Sequence, residues 1–293
     1  MKEKFTYIIQ GPLDVISLDT IDEYLKQDHI HEIIVSCWDN ESITDKNKWC
    51  NVVVEENYEL IEPHLDKVTF IKNKYPQDLE KIHNVVSYFR QINTLAALKK
   101  VKTKYCVVHK AGDSFPDMSV ILNKFEKNPN KYYVTNRGCR KDKAMKFGMN
   151  HGFLLGETEK MIKARELVYM FCKFGKQTMY KHNKKEEKNK KQDSILQIRD
   201  MYGNNIGWTE YNETLETLCF LIAAGETIDI TRSAEQVKKH YDITPMGHFK
   251  TYKWSQQFHQ KDARSSRVYK GTRGMDYDKN FNDPQIANHI NEV

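Results

Sequence analysis

Three short stretches hold residue types able to do chemistry on a phosphorylated ligand, and each follows an apolar run. Gln10-Gly11-Pro12 comes directly after Phe5 to Ile9. Glycine lets a backbone approach a ligand closely and proline fixes the exit direction, although a tight turn with no ligand reads equally well. Ser36-Cys37-Trp38-Asp39 closes the run Glu32 to Cys37. It offers an aromatic face and a carboxylate to a flat ring and its ribose, or else a Trp that seals the core edge. His109-Lys110-Ala111-Gly112-Asp113-Ser114 ends the run Tyr105 to His109. A carboxylate placed there, after a Gly, suits a hard divalent cation bridging two phosphates, because Mg²⁺ and Mn²⁺ prefer oxygen ligands and usually share them with substrate. Asp117 offers a second ligand, but the stronger reading is that Ser114, or Asp117 within the first turn, caps a helix starting near Pro116.

Such residues act only if the chain delivers them to one place. The first half alternates short β-rich runs with helical patterns. The expected strands are Phe5 to Ile9, Glu32 to Cys37, Asn51 to Val54, Val68 to Ile71, Tyr105 to His109 and Tyr132 to Thr135. Each is apolar enough to be buried on both faces. Helices are expected over Leu18 to Lys26, Leu79 to Val101 and Met118 to Glu126, the long one carrying an apolar stripe from Ile82 to Leu98. This alternation predicts right-handed crossovers and a mostly parallel sheet, whose ligands bind beyond the carboxyl ends of the strands. The second half reads as a strand over Phe147 to Leu155, a helix over Glu157 to Cys172, a polar insertion over Lys173 to Asp193, and a helix over Tyr211 to Ala224. After Trp254 the composition turns polar, a tail that is disordered or a lid ordered by ligand.

Charge and cysteine usage narrow the classes. Among 293 residues, 46 Lys and Arg stand against 40 Asp and Glu, a formal net charge of +6. The run Lys173 to Lys191 holds eight Lys against Glu186 and Glu187, so that one segment carries the whole excess. A nucleic-acid-binding surface would spread its cations over a face or stripe, so it is disfavoured. Six Cys lie far apart with no CxxC pair, which fits a reducing compartment better than a disulfide scaffold or zinc cluster. With no long apolar span and no export signal legible, a cytoplasmic protein is expected.

In order along the chain, several blocks resemble the WavE-type lipopolysaccharide-synthesis glycosyltransferases, which have the GT-A nucleotide-sugar fold. They are Ile8-Ile9-Gln10-Gly11-Pro12, the run Glu32 to Trp38, Arg90-Gln91-Ile92-Asn93-Thr94-Leu95-Ala96-Ala97-Leu98-Lys99, and Val101 to Tyr105 leading to Asp113. The resemblance spans Tyr7 to Ile222. It implies an α/β, GT-A-like and Rossmann-related sheet, mostly parallel, with helices on both faces. Residues 1–135 would form the nucleotide-sugar half, 136–254 the acceptor half of the same domain, and 255–293 the tail. It further implies transfer of a sugar from a nucleoside-diphosphate donor to a glycan hydroxyl, inverting and assisted by Mn²⁺ or Mg²⁺. Gln10, Gly11, Pro12, Trp38 and Asp39 would hold the nucleoside, Arg90 and Asn93 would reach the nucleotide, and Asp113 would take the metal. Relatives tend to carry Arg two residues before that Asp; here the position is Ala111, with Lys110 beside it. Glu216, or second Glu213, matches the Glu that opens an apolar helix and would serve as base, while His151 matches an acceptor-side loop. Acidic residues in a first helical turn are also favoured by the helix dipole alone.

Two other classes fit parts of the sequence. Gly112-Asp113-Ser114 resembles the Gly-Asp-Ser block of GDSL-type esterases, with Ser114 as nucleophile. That block belongs near an amino terminus with a late Asp-x-x-His, and here the Asp-x-x-His is Asp28 to His31. The run Lys173 to Lys191 suits polyanion binding without sequence preference, or peripheral contact with an anionic lipid surface carrying the acceptor.

Overall fold

The computed structural model describes residues 4–11, 21, 23–39, 66–76, 85–111, 113–114, 118–135, 148–149, 151–174, 176–178, 197–199, 205–208, 212–229, 232–244 and 250–251. In chain order the elements are β1 (Phe5–Gln10), β2 (Ile30–Trp38), β3 (Val68–Asn73), α1 (Val85–Leu98), β4 (Tyr105–Lys110), β5 (Asp113–Ser114), α2 (Ser119–Lys127) and β6 (Tyr132–Thr135). There follow β7 (Phe153–Glu157), α3 (Thr158–Phe174), β8 (Lys176–Thr178), β9 (Gln197–Arg199), β10 (Asn205–Trp208), α4 (Asn212–Ala223), α5 (Ser233–His240), β11 (Tyr241–Thr244) and β12 (Lys250–Thr251). The expected strand over Asn51 to Val54, most of the insertion after Thr178 and the tail lie outside the described residues.

A seven-stranded sheet runs β11-β6-β7-β4-β1-β2-β3. β1 pairs in parallel with both β2 and β4, β2 with β3, and β6 with β11, while β7 is antiparallel to its neighbours β4 and β6. The fold class is therefore α/β with a mostly parallel sheet, as the alternation predicted. Every residue of β1 is buried, as is β2 from Ile33 onward, so these runs read as continuously apolar; the edge strand β3 buries only Val68, against the expected burial on both faces.

Side-chain pairs show helices on both faces. On one, Phe5 packs edge-on to Phe125 of α2 at 5.6 Å and Tyr7 meets Tyr24 at 5.2 Å. On the other, Cys106 Sγ lies 3.7 Å from Met161 Sδ of α3, Trp38 lies 5.6 Å from Phe89 of α1, and Tyr132 lies 4.9 Å from Phe220 of α4. One hydrophobic cluster runs through all of these elements. Gly156 in β7 admits no side chain, since a Cβ there would sit 2.9 Å from the Tyr132 ring.

The polar insertion is not all loop: Lys176–Thr178 is a strand, β8, in a three-stranded antiparallel sheet with β9 and β10. No described helix is long and apolar enough to cross a membrane.

Candidate functional site

The register of the parallel strands brings the sequence motifs to one edge. Gln10 aligns with Ser36 on one side and Lys110 on the other, and Trp38 aligns with Asn73. Chain order runs β1-β2-β3 outward from the middle, then returns to β4 on the other side of β1, so the order reverses between β1 and β4. Crevices at such reversals, beyond the carboxyl ends, are where open α/β sheets bind ligands. Gln10-Gly11 and Lys110-Ala111 both end there. Gly11 has φ +118°, a backbone state that L side chains rarely adopt. A Cβ on it would find Ala111 Cβ at an ordinary 3.9 Å, so conformation rather than space requires the glycine. The Gly11 N–H donates to Ser36 O at 3.2 Å and the Ala111 N–H to Gln10 O at 2.9 Å. Just beyond, Asp113 and Ser114 form β5, paired antiparallel with Thr251 and Lys250 of β12. A much later piece of chain thus lies against the acidic strand. Pro12, Gly112 and Asp117 lie outside the described residues.

At the neighbouring strand end, Trp38 takes the core-edge place. It is 4% exposed and meets Tyr75 and Phe89 edge-on at 5.2 and 5.6 Å. Its ring is committed to the core, and half-buried Asp39 is the more accessible member of the pair. Asn93, expected to reach the nucleotide, is 2% exposed and accepts a 2.8 Å hydrogen bond from Asn73 Nδ2. Asn73 is a site-edge residue that sequence reading missed; its signal was a polar residue closing the third apolar strand.

Three other expected residues meet in the interior. Glu216 on α4 is fully buried. Its Oε1 accepts from Arg90 Nη1 at 2.8 Å and from Gln91 Nε2 at 3.4 Å, both on α1. Its Oε2 accepts from Arg165 Nη1 of α3 at 2.8 Å and lies 3.2 Å from His151 Nδ1. Arg165 is itself fully buried, with its guanidinium 5.1 Å from the centre of the Phe220 ring. Burial alone would raise the Glu216 carboxyl, but Arg90, Arg165 and His151 overcome it and hold the group well below the ordinary carboxylate value. Burial pushes His151 below its ordinary value, against the pull of Glu216 and with help from Arg165 and Arg90. In the neutral tautomer with the proton on Nδ1, Nε2 accepts from the Tyr241 hydroxyl at 3.1 Å while Nδ1 lies near Glu216 without a well-aligned hydrogen bond.

Glu216 thus accepts from Arg90, Gln91 and Arg165 and joins α1, α3 and α4 through ion pairs, and a carboxylate held this way has little affinity for a further proton. His151 is 1% exposed and lies between Glu216 and Tyr241. Arg90, with a side chain 10% exposed, spends one nitrogen on Glu216. Glu213, one turn earlier on α4, is the half-buried and more accessible carboxylate; its carbonyl accepts from Thr217 Oγ1 at 2.8 Å.

The cluster sets a pH dependence. Folding lowers His151 below its ordinary 6.5, so its contribution to stability is complete above about pH 6.5 and is lost as pH falls below that value. Folding also lowers Glu216 below its ordinary 4.5, so a second loss begins below about pH 4.5. Urea midpoints measured from pH 8 to 4 should therefore fall more between pH 7 and 5 for the wild type than for His151→Gln. Equal slopes in that interval would refute a neutral, buried His151.

Among the described residues no three His, Cys, Asp or Glu side chains gather as a metal cluster. No family model matches the chain, and no curated protein matches it. Three solved structures similar to it are glycosyltransferases. Apo-form GlyE of Streptococcus pneumoniae TIGR4 is 14% identical over 64% of this chain and 42% of its own, with a TM-score of 0.38. The galactosyltransferase LgtC, in complex with donor and acceptor sugar analogs, is 14% identical over 54% of this chain and 59% of its own, with a TM-score of 0.32. A glycosyltransferase involved in glycosylating the major capsid of PBCV-1 is 10% identical over 63% of this chain and 75% of its own, with a TM-score of 0.33. The chain thus spans under half the length of GlyE, and at these scores the likeness assigns neither activity nor ligand.

Proposed function

We propose that the protein is a glycosyltransferase that binds a nucleoside-diphosphate sugar at the carboxyl edge of the sheet and transfers the sugar to a glycan hydroxyl. The observation that carries this reading is the order reversal between β1 and β4, where Gly11 in its positive-φ turn lies beside Ala111, two residues before Asp113. Two of the sequence blocks that resemble WavE-type enzymes, those holding Gln10-Gly11 and Ser36 to Trp38, run to the same edge. Residues 1–135 would form the donor half and 136–254 the acceptor half.

A metal shared with a diphosphate takes only one or two carboxylates from the protein, so Asp113 would hold Mn²⁺ or Mg²⁺ between the chain and the diphosphate. Such an ion neutralises charge on the leaving diphosphate when bound. Gln10 and Gly11 offer backbone at close range, and Asp39 a carboxylate to the nucleoside. With Glu216 held in its ion pairs, Glu213 is the better candidate to take the acceptor proton in an inverting transfer. The lysine run, of which Lys173 and Lys176 are described, fits loose contact with an anionic lipid surface bearing the acceptor. Neither the Ser114 esterase nor a polyanion-binding role gains an observation.

The test is a thermal-shift panel of UDP, GDP, CDP, ADP and dTDP with and without Mn²⁺. A ligand present at 100 times its Kd stabilises by about 2.7 kcal/mol, a rise of roughly 5 to 10 °C for a chain of this size. One nucleotide should produce that rise, and Mn²⁺ should enlarge it. No rise with any nucleotide would sink the proposal.

A further inference from the structure

At the end of β3, Asn73 grips the exit of β2 with both its main chain and its side chain. Its carbonyl accepts the Asp39 N–H at 2.8 Å. Its Nδ2 lies 2.9 Å from Ser36 Oγ, 3.1 Å from the Cys37 carbonyl and 2.8 Å from Asn93 Oδ1. A backbone carbonyl can only accept, so the Cys37 contact fixes which way the amide faces. Asn93 lies on α1 and is itself nearly buried, so the amide locks three elements together: β2, β3 and the helix that crosses between β3 and β4. The segment held is Ser36 to Asp39. Trp38, in the middle of it, is pinned against Tyr75 and Phe89, and the carboxylate of Asp39 is carried on the residue that follows.

We infer that Asn73 is a positioning residue for the nucleoside end of the donor, fixing through Ser36, Cys37 and Asn93 the peptide that presents Asp39. This rests on the donor site proposed above. A carboxylate recognises a ribose or base only where its backbone holds it within hydrogen-bonding range, and a loosened peptide loses that geometry while leaving the diphosphate contacts around β1 and β4 intact. Asn93 then acts through Asn73 and does not itself touch the nucleotide.

Binding of the tightest nucleoside diphosphate from the panel, and of inorganic pyrophosphate, is measured by calorimetry for wild type, Asn73→Ala, Asn73→Asp and Asn93→Ala. Asn73→Asp keeps the side-chain shape but cannot donate, and so guards against a packing defect in the alanine variant. Both Asn73 variants should bind the nucleotide about tenfold more weakly while pyrophosphate stays within twofold, a split that a general loss of fold would not give. In a transferase assay the loss should fall on the donor KM with kcat little changed. The double variant of Asn73 and Asn93 should be no weaker than the weaker single one, because the two residues share one bond. Nucleotide binding within twofold of wild type, or nucleotide and pyrophosphate weakening in parallel, would overturn the inference. A wild type that binds pyrophosphate but none of the nucleotides would overturn the donor site itself.

Discussion

Glu216→Gln is expected to destabilise the protein by about 3 to 5 kcal/mol, the usual result of removing one partner from a buried ion pair. The substitution keeps volume and shape, so no cavity accounts for the loss. What changes is that the fully buried Arg165 guanidinium loses its counter-charge, while Arg90 loses the anchor that holds its Nη1 at 2.8 Å. Arg90 reaches the surface and can turn toward water. Arg165 cannot, because its side chain is enclosed between α1, α3 and α4, and its Nε and Nη2 have no hydrogen-bond partner among the described residues. The amide also turns a donor toward groups that all donate to the present carboxylate. Urea unfolding of Glu216→Gln beside Glu213→Ala separates the two carboxylates of the same helix, since the half-buried Glu213 should change stability by only about 0.5 kcal/mol. If Glu216→Gln kept wild-type stability and lost transferase activity, Glu216 would return as the base.

That cluster also marks the limit of what could be read from the chain. The strands of the parallel sheet were legible because burial on both faces writes them as unbroken apolar runs: Phe5 to Gln10, Ile30 to Trp38 and Tyr105 to Lys110 differ from the expected spans by only one or two residues at an end. The helices α2, α3 and α4 were legible from their periodicity for the same reason. β5 and β12 are two residues each, and β8, β9 and β11 are three or four, too short for any period to declare itself. β11 and α5 were passed over although Tyr241 and Ile243 join the core. Glu216 sat near the start of an apolar helix, where dipole and catalysis give one signature, and its partners lie 126 and 51 residues away in sequence. A clue was present at the other end of the pair. Met161, Arg165, Val168 and Cys172 fall on one stripe of α3, and a guanidinium amid three buried apolar residues demands a buried anion. For Trp38 both readings were open, and the rings it packs on, Tyr75 and Phe89, lie 37 and 51 residues further along the chain, beyond any local pattern.

Asp113→Asn is the substitution expected to affect chemistry most. Asp113 enters the fold through its main chain, paired with Thr251 across a two-residue ladder, so exchanging carboxylate for amide leaves that pairing in place. In the proposed site the lost negative charge is the one that would hold the cation. In the proposed reaction the diphosphate gains charge as the sugar departs, and removing one preorganised electrostatic contribution to such a transition state lowers kcat on the order of 10²–10³-fold. The fall should appear in kcat rather than in stability, with the thermal midpoint of the free protein within about 1 °C of wild type. The increment that Mn²⁺ adds to the nucleotide-induced thermal shift should disappear, while the shift produced by nucleotide alone should remain. Ala111 sharpens this expectation: the residue two before Asp113 is small, buried and uncharged, so less fixed positive charge is at hand to replace a cation. Lys110 is the neighbouring charge that remains. If Asp113→Asn kept full activity, the leaving diphosphate would have to be stabilised by side-chain cations, and Lys110→Ala would then take over the loss predicted for Asp113.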